Sequence, residues 1–356
     1  MTHSKATTLR WVGLLVCLCA WTVGCTAARS AVRIEQVTYA GFADAVRISN
    51  RQVDVVVVPS IGRILRYGFI GEPNVFWENT RAIAYAPKIG NWRNWGGEKL
   101  WIWPQDDWQA RYGKTWPPPG DDQDQACQVQ ISGQSVRLIS PPVPGYDFRL
   151  VRDIALAPSG TTLVVSSGFI DAPDAGFGNV SAWSVIQVRQ PTAEVIFARL
   201  TEDAWAAGGR TWGDWPASRQ YGRVLALRRD GAKTPKLFLH ADLLAVARPG
   251  VLLSVRKSPD PGAPGAPGAP GAPGAPGAPD EAPVASFSVG GQAQVYADPL
   301  VSQSRPPELG PYVELEFTGP PVASRDRPGQ LTLIYTLKRL AGRGIDPQAI
   351  ARQLHE

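Results

Sequence analysis

Ten short runs of β-branched and large apolar residues, each closed by glycine, proline or polar residues, set the terms on which this chain of 356 residues can fold. They lie at 53–58, 64–69, 150–156, 162–169, 180–188, 195–200, 236–239, 252–255, 312–317 and 331–337. Short runs of this composition read as strands, and few long windows carry the 3.6-residue period of an amphipathic helix. The expectation is an all-β domain, and with this many strands a sandwich or a barrel. One helix is expected, at the carboxyl end. Asp346 suits the N-cap, Pro347 the first helical position, and Ile350 and Leu354 lie four apart on one face.

The amino terminus reads as an export signal of bacterial type. Lys5 and Arg10 precede an apolar run over 11–23, after which come Gly24 and Cys25. That run is shorter than the roughly 20 residues needed to cross a bilayer. The polar stretch 26–30 follows too soon to favour the alternative, an uncleaved anchor. Thr22-Val23-Gly24-Cys25 resembles a lipobox, in which the cysteine is diacylated and becomes the first residue of the mature chain. The resemblance implies an exported protein held to the cell envelope through lipid on Cys25, with its domain in the periplasm or at the cell surface. The expected organisation is a signal peptide over 1–24, a tether over 25–33, a β domain over 34–340 and a helical tail over 341–356.

Several chemistries are removed by scarcity. Cleavage before Cys25 takes Cys17 and Cys19 away, so Cys127 is left single and no disulfide framework or cysteine metal site can form. A buried, small apolar role suits Cys127 better than a reactive one. Loss of His3 leaves His240 and His355, too few for a three-histidine zinc site, and no cofactor or metal is implied. The signal carries two basic residues and no acid, so net charge falls from +5 to +3 on cleavage, too mild to argue for nucleic acid or an acidic membrane surface. The membrane partner implied is the bilayer that receives the lipid.

Residues 262–279 are six Gly-Ala-Pro triplets between proline-rich and acidic flanks, making a low-complexity segment over 259–283. Six triplets within a globular chain make a poor collagen helix. The tract reads as an extended surface loop of at most about 56 Å, at roughly 3.1 Å per residue. Strand-like residues on both sides, 251–255 and 283–289, make it an insertion within one domain.

A family resemblance joins several of these segments. Gly62-Arg63 sits between the runs at 53–58 and 64–69, and Gly71-Glu72-Pro73-Asn74-Val75-Phe76-Trp77-Glu78-Asn79 follows. With 94–101 and Pro104-Gln105, then 182–188, then 311–316 with Gly319-Pro320, this order resembles the galactose mutarotase-like, or aldose 1-epimerase, superfamily, and within it an uncharacterised family. The resemblance implies a β-supersandwich, with antiparallel sheets layered around a concave sugar-binding face. It also implies a carboxylate base acting on the anomeric hydroxyl and a histidine acid acting on the ring oxygen. The segment Trp183-Ser184-Val185-Ile186-Gln187 has no histidine where such enzymes carry one, and His240 lies outside every matching motif, so mutarotation by the usual pair is not expected.

Of 13 tryptophans, six fall between Trp92 and Trp116, and those up to Trp108 share a segment, 91–108, with amide, carboxylate and cationic groups. Such a mixture suits a glycan, whose C–H patches pack on indole and whose hydroxyls need donors and acceptors. Gly96-Gly97 would let backbone approach a ligand closely. The competing reading is a long loop whose tryptophans fill the sandwich edge. Strand alternation puts Tyr312, Glu314 and Glu316 on one face, either the sugar-binding face or a solvated outer one. Arg63 is a sugar ligand or a turn residue paired to an acid. The candidate catalytic residues are Glu314 and Glu98. The candidate substrate-binding residues are Arg63, Asn79, Trp92, Asn94, Trp95, Lys99, Trp101, Gln105, Trp183, Gln187 and Glu316. Trp212-Gly213-Asp214-Trp215 and Arg256-Lys257 are weaker candidates.

Three functions remain open from sequence: a carbohydrate-binding protein of the cell envelope, an epimerase or related enzyme working through Glu98, Glu314 or Glu316, and a scaffold that keeps the fold without a site.

Overall fold

In the computed structural model the described residues are 31–80, 92–121, 126–172, 178–189, 195–201, 211–212, 218–228, 236–258, 293–297, 312–322, 329–342 and 344–355. They form two ten-stranded antiparallel sheets and a short carboxyl-terminal helix, so the all-β expectation is met.

The first sheet runs β1 (Arg33–Tyr39), β2 (Phe42–Ser49), β3 (Val53–Val58), β4 (Arg63–Phe69) and β5 (Glu98–Trp103). It continues through β10 (Ser181–Arg189), β19 (Tyr312–Pro321), β18 (Ala293–Ala297), β15 (Lys236–Leu239) and β12 (Thr211–Trp212). The second sheet runs β13 (Ser218–Tyr221), β14 (Val224–Arg228), β11 (Val195–Leu200), β16 (Ala241–Arg248) and β17 (Val251–Lys257). It ends through β20 (Leu331–Arg339), β9 (Leu163–Ile170), β8 (Arg149–Leu156), β7 (Ser135–Pro142) and β6 (Gln128–Ser132). A five-residue helix, α1 (Trp108–Tyr112), follows β5 and ends on Gly113 in the left-handed conformation.

The sheets share one apolar core. Val55, Ile102, Ile186, Leu315 and Phe317 of the first sheet cluster with Ile154, Val165, Leu244, Leu253 and Tyr335 of the second. The far side of the second sheet is covered by α2 (Pro347–His355), whose Ile350 and Leu354 are buried against Phe197, Val224 and Leu243. Its start is as expected, with Asp346 Oδ1 accepting the Gln348 amide at 2.9 Å.

The segment at 98–103 differs from its sequence reading. It carries no β-branched run, yet as β5 it occupies the middle of the first sheet, paired with β10 over its whole length. Trp101, Ile102 and Trp103 suit a strand, and pairing with β10 carries the strand back through Lys99 and Glu98. The triplet tract and the strand-like stretch 283–289 lie outside the described residues. The tract falls between β17 and β18, which belong to different sheets.

Candidate functional site

Alternation along β5, β10 and β19 sorts their side chains onto two faces. Leu100, Ile102, Ala182, Ile186, Leu315 and Phe317 point into the core between the sheets. Lys99, Trp101, Trp183, Val185, Gln187, Glu314 and Glu316 point the other way. Register then places them in rows: Trp183 is opposite Trp101, Val185 lies between Lys99 and Glu316, and Gln187 is opposite Glu314.

These groups contact one another directly. Gln187 Nε2 donates to Glu314 Oε1 at 2.8 Å, and Lys99 Nζ lies 3.6 Å from the same oxygen. Trp183 Nε1 and Lys236 Nζ, the latter from β15, donate to Glu316 Oε2 at 2.9 and 3.0 Å. Each lysine lies over an indole, Lys99 at 4.3 Å from the Trp101 ring and Lys236 at 5.1 Å from that of Trp183. Gln187 and Glu316 are fully buried, whereas the side chains of Glu314 and Lys236 keep 12% and 16% of their exposure. The row therefore reaches solvent at its Glu314–Lys236 end.

Burial dominates the electrostatics. It raises the Glu316 pKa, with Lys236 pulling the other way and Glu314 adding to the rise. It lowers Lys99 to about 8, against the opposing pull of Glu314 and with Arg63 helping it down. Three acceptors on this side have no hydrogen-bond partner: Gln187 Oε1, Glu316 Oε1 and Asn94 Oδ1.

The upper end is closed by the segment around Trp77. Gly97 N donates to Trp77 O at 2.8 Å, Trp77 N to Gln187 O at 2.8 Å and Gln187 N to Gly97 O at 2.9 Å. Trp77 packs on Tyr312 with ring centroids 4.5 Å apart, and Asn94 Nδ2 reaches the Tyr312 hydroxyl at 3.3 Å. Gly96 and Gly97 have φ of 91° and 72°. A Cβ on either would lie 2.2 Å from Trp77 O or 2.3 Å from Ile64 O. The close approach these glycines permit is thus to the chain's own backbone, not to a ligand as expected from sequence.

Other candidates sit elsewhere, and strand alternation accounts for the chief correction. Glu98 lies on the core face of β5, fully buried, where it accepts from Ser184 Oγ at 2.8 Å and pairs with Arg152 of the second sheet. It does not join Glu314. Arg63 is fully buried, its Nη2 donating to both carboxylate oxygens of Asp121 at 3.0 and 2.8 Å and its Nη1 to Gly96 O at 3.2 Å. Of its two sequence readings, the residue paired to an acid is the one observed. Trp95 is buried in a separate cluster with Phe42, Val56, Val58 and Leu65, and Gln105 is exposed in a turn. Asn79 holds the Asn94 carbonyl at 2.9 Å, so it positions that loop.

The tryptophan cluster has an anchor that the sequence did not reveal. Asp121 Oδ2 accepts from Trp92 Nε1 and Trp101 Nε1 at 2.8 and 2.9 Å as well as from Arg63. Trp101, Trp103 and Trp108 pack edge-on or tilted around Trp183, and Trp116 closes over Trp92 and Trp101. The tryptophans fill the face of the sheet at its centre rather than the sandwich edge, packed beside the polar row. Lys236 was missed as well; its only signal was the strand start Lys236-Leu237-Phe238-Leu239. Cys127 packs beneath Gly62, and burial pushes its thiol up to about 11. Lys257 donates to Thr318 O at 2.7 Å, and residues 213–217 lie outside the described residues.

No protein-family model matches the chain, and no curated protein matches it. Among solved structures the chain is similar to a putative mutarotase from Salmonella typhimurium, at 13% identity and a TM-score of 0.48, covering 87% of this chain and 94% of that one. It is similar to a putative aldose 1-epimerase from Escherichia coli, at 13% identity and a TM-score of 0.46, covering 83% and 98%. It is also similar to a galactose mutarotase related enzyme from Lactobacillus acidophilus, at 12% identity and a TM-score of 0.46, covering 85% and 100%.

Proposed function

We propose that this domain binds a saccharide on the face of the first sheet formed by β5, β10, β19 and β15. The observation that carries the reading is the row of buried, mutually bonded polar groups, Lys99, Gln187, Glu314, Glu316 and Lys236, beside three acceptors without partners. Buried polar groups are ordinarily satisfied, and each acceptor left alone costs about 1–3 kcal/mol. A saccharide supplies hydroxyls that donate and accept, and apolar C–H edges that match the walls of Trp101, Trp103 and Trp183. Saturation-transfer NMR on the folded protein with mono- and oligosaccharides tests this. Contact signals are expected from some members of the panel. Silence throughout, with the fold intact, leaves an envelope scaffold, the reading that the burial of Trp101 and Trp183 favours.

A catalytic version of the same site draws support from Lys99 and Glu316, whose environments move their proton affinities in opposite directions. In that version the pair works on an aldose in place of a carboxylate and a histidine, and Glu98 takes no part. Polarimetry on fresh aldoses decides it, since rates no faster than buffer for common hexoses and uronates remove it.

Export and lipid attachment at Cys25 complete the proposal, supported by the apolar run 11–23 and the cysteine that follows. Metabolic labelling with an alkyne fatty acid is expected to mark the protein. Labelling that persists in Cys25→Ser rejects attachment at that residue.

A further inference from the structure

The groups on the β5–β10–β19 face also bear on the charge of the ligand. Within the row each lysine already has its counter-charge, Lys99 with Glu314 and Lys236 with Glu316, and the Arg63 guanidinium beside it is paired to Asp121. What is left over among the buried atoms of the row is three oxygens. Gln187 gives its amide nitrogen to Glu314 and keeps Oε1 free; Glu316 uses Oε2 twice and keeps Oε1 free; Asn94 gives its amide nitrogen to Tyr312 and keeps Oδ1 free. All three are acceptors. Among the buried side-chain atoms on this side the one donor without a partner is Arg63 Nε, which belongs to a guanidinium whose other nitrogens are fixed on Asp121 and Gly96 O.

From this we infer that the face takes an uncharged, hydroxyl-rich saccharide and discriminates against phosphorylated, carboxylated and amino sugars. A phosphate or carboxylate brings acceptors only, which leave the three buried oxygens unpaired, and sets a third anion beside Glu314 and Glu316. Both ammonium groups that would welcome it are engaged, and freeing one would leave a buried carboxylate unpaired. An ammonium on the sugar would donate suitably but place a third cation beside Lys99 and Lys236 in a dry setting, where like charges repel strongly. A hydroxyl supplies the missing donor without disturbing the balance.

The inference rests on the saccharide reading, and one experiment separates the two. Isothermal calorimetry on the full chain at neutral pH compares D-glucose, D-galactose, D-mannose and maltose with D-glucose 6-phosphate, D-glucuronate and D-glucosamine. At least one neutral sugar is expected to bind about tenfold or more tighter than each charged one, a difference of about 1.4 kcal/mol. A charged sugar that binds as tightly as the best neutral one overturns the charge rule and leaves saccharide binding standing. Heats absent for all seven with folded protein overturn both. The location is tested with Gln187→Leu, or Asn94→Ala should the first variant not fold; each removes one free acceptor and is expected to weaken neutral-sugar binding several-fold, and unchanged affinity in a folded variant moves the site elsewhere.

Discussion

Gln187 and Glu314 face each other across β10 and β19, and the amide nitrogen of the first donates to a carboxylate oxygen of the second at 2.8 Å. That bond fixes which end of the amide is left over, and so what a ligand meets. Glu314 is also the carboxylate nearest solvent in the row. Its replacement by alanine is expected to free the Gln187 nitrogen, strip Lys99 of its partner and weaken saccharide binding by about 10- to 100-fold, on the scale of a hydrogen bond to a charged group. Calorimetry on the variant, alongside its thermal unfolding, gives the answer.

Lys99 makes stability depend on alkaline pH. Its pKa is lowered to about 8 in the fold from an ordinary 10.5, so between those values the unfolded chain holds more protons than the folded one. Stability from this group is therefore least below pH 8 and rises as the pH climbs toward 10.5. Urea midpoints of the native protein and of Lys99→Met at pH 7.5 and 10 isolate the effect. The native protein is expected to gain on the variant between the two pH values, and parallel curves would refute a depressed lysine.

Asp121 holds Arg63, Trp92 and Trp101 together. Asp121→Ala leaves a fully buried guanidinium without its counter-ion, a change that costs roughly 3–5 kcal/mol. A large loss of unfolding free energy is the expected result from denaturant titration, and a loss below about 1 kcal/mol would contradict the clamp.

Glu98 provides the contrast with Glu314. Because it pairs with Arg152 on the core face, Glu98→Gln is expected to lower the unfolding midpoint while leaving any sugar affinity of the folded fraction unchanged. Affinity lost with stability kept would place Glu98 in the site after all.

The strands that carry their own pattern were legible in the sequence. The runs at 195–200 and 236–239 match β11 and β15 to the residue, and the faces of Tyr312, Glu314 and Glu316 followed from alternation alone. Other features depend on the assembled sheet. Glu98 and Lys99 are adjacent in sequence and look alike as site candidates; only the pairing of β5 with β10 shows that one faces the core and the other the row. Asp121 stands between a glycine and another aspartate with no local pattern, and its role appears only once Arg63, Trp92 and Trp101 converge on it. Trp95, one residue before the Gly96-Gly97 pair, was grouped with Trp101 by proximity in the chain, but the turn through those glycines sends it to the other cluster, with Phe42.

The central claim is that saccharide hydroxyls complete the β5–β10–β19 face. Its most direct test is a crystal of this protein soaked at saturating concentration in the neutral sugar that binds best. The account predicts hydroxyl oxygens within hydrogen-bond distance of Gln187 Oε1 and Glu316 Oε1. A sugar bound away from β10 and β19, with those two oxygens still unpartnered, would contradict it.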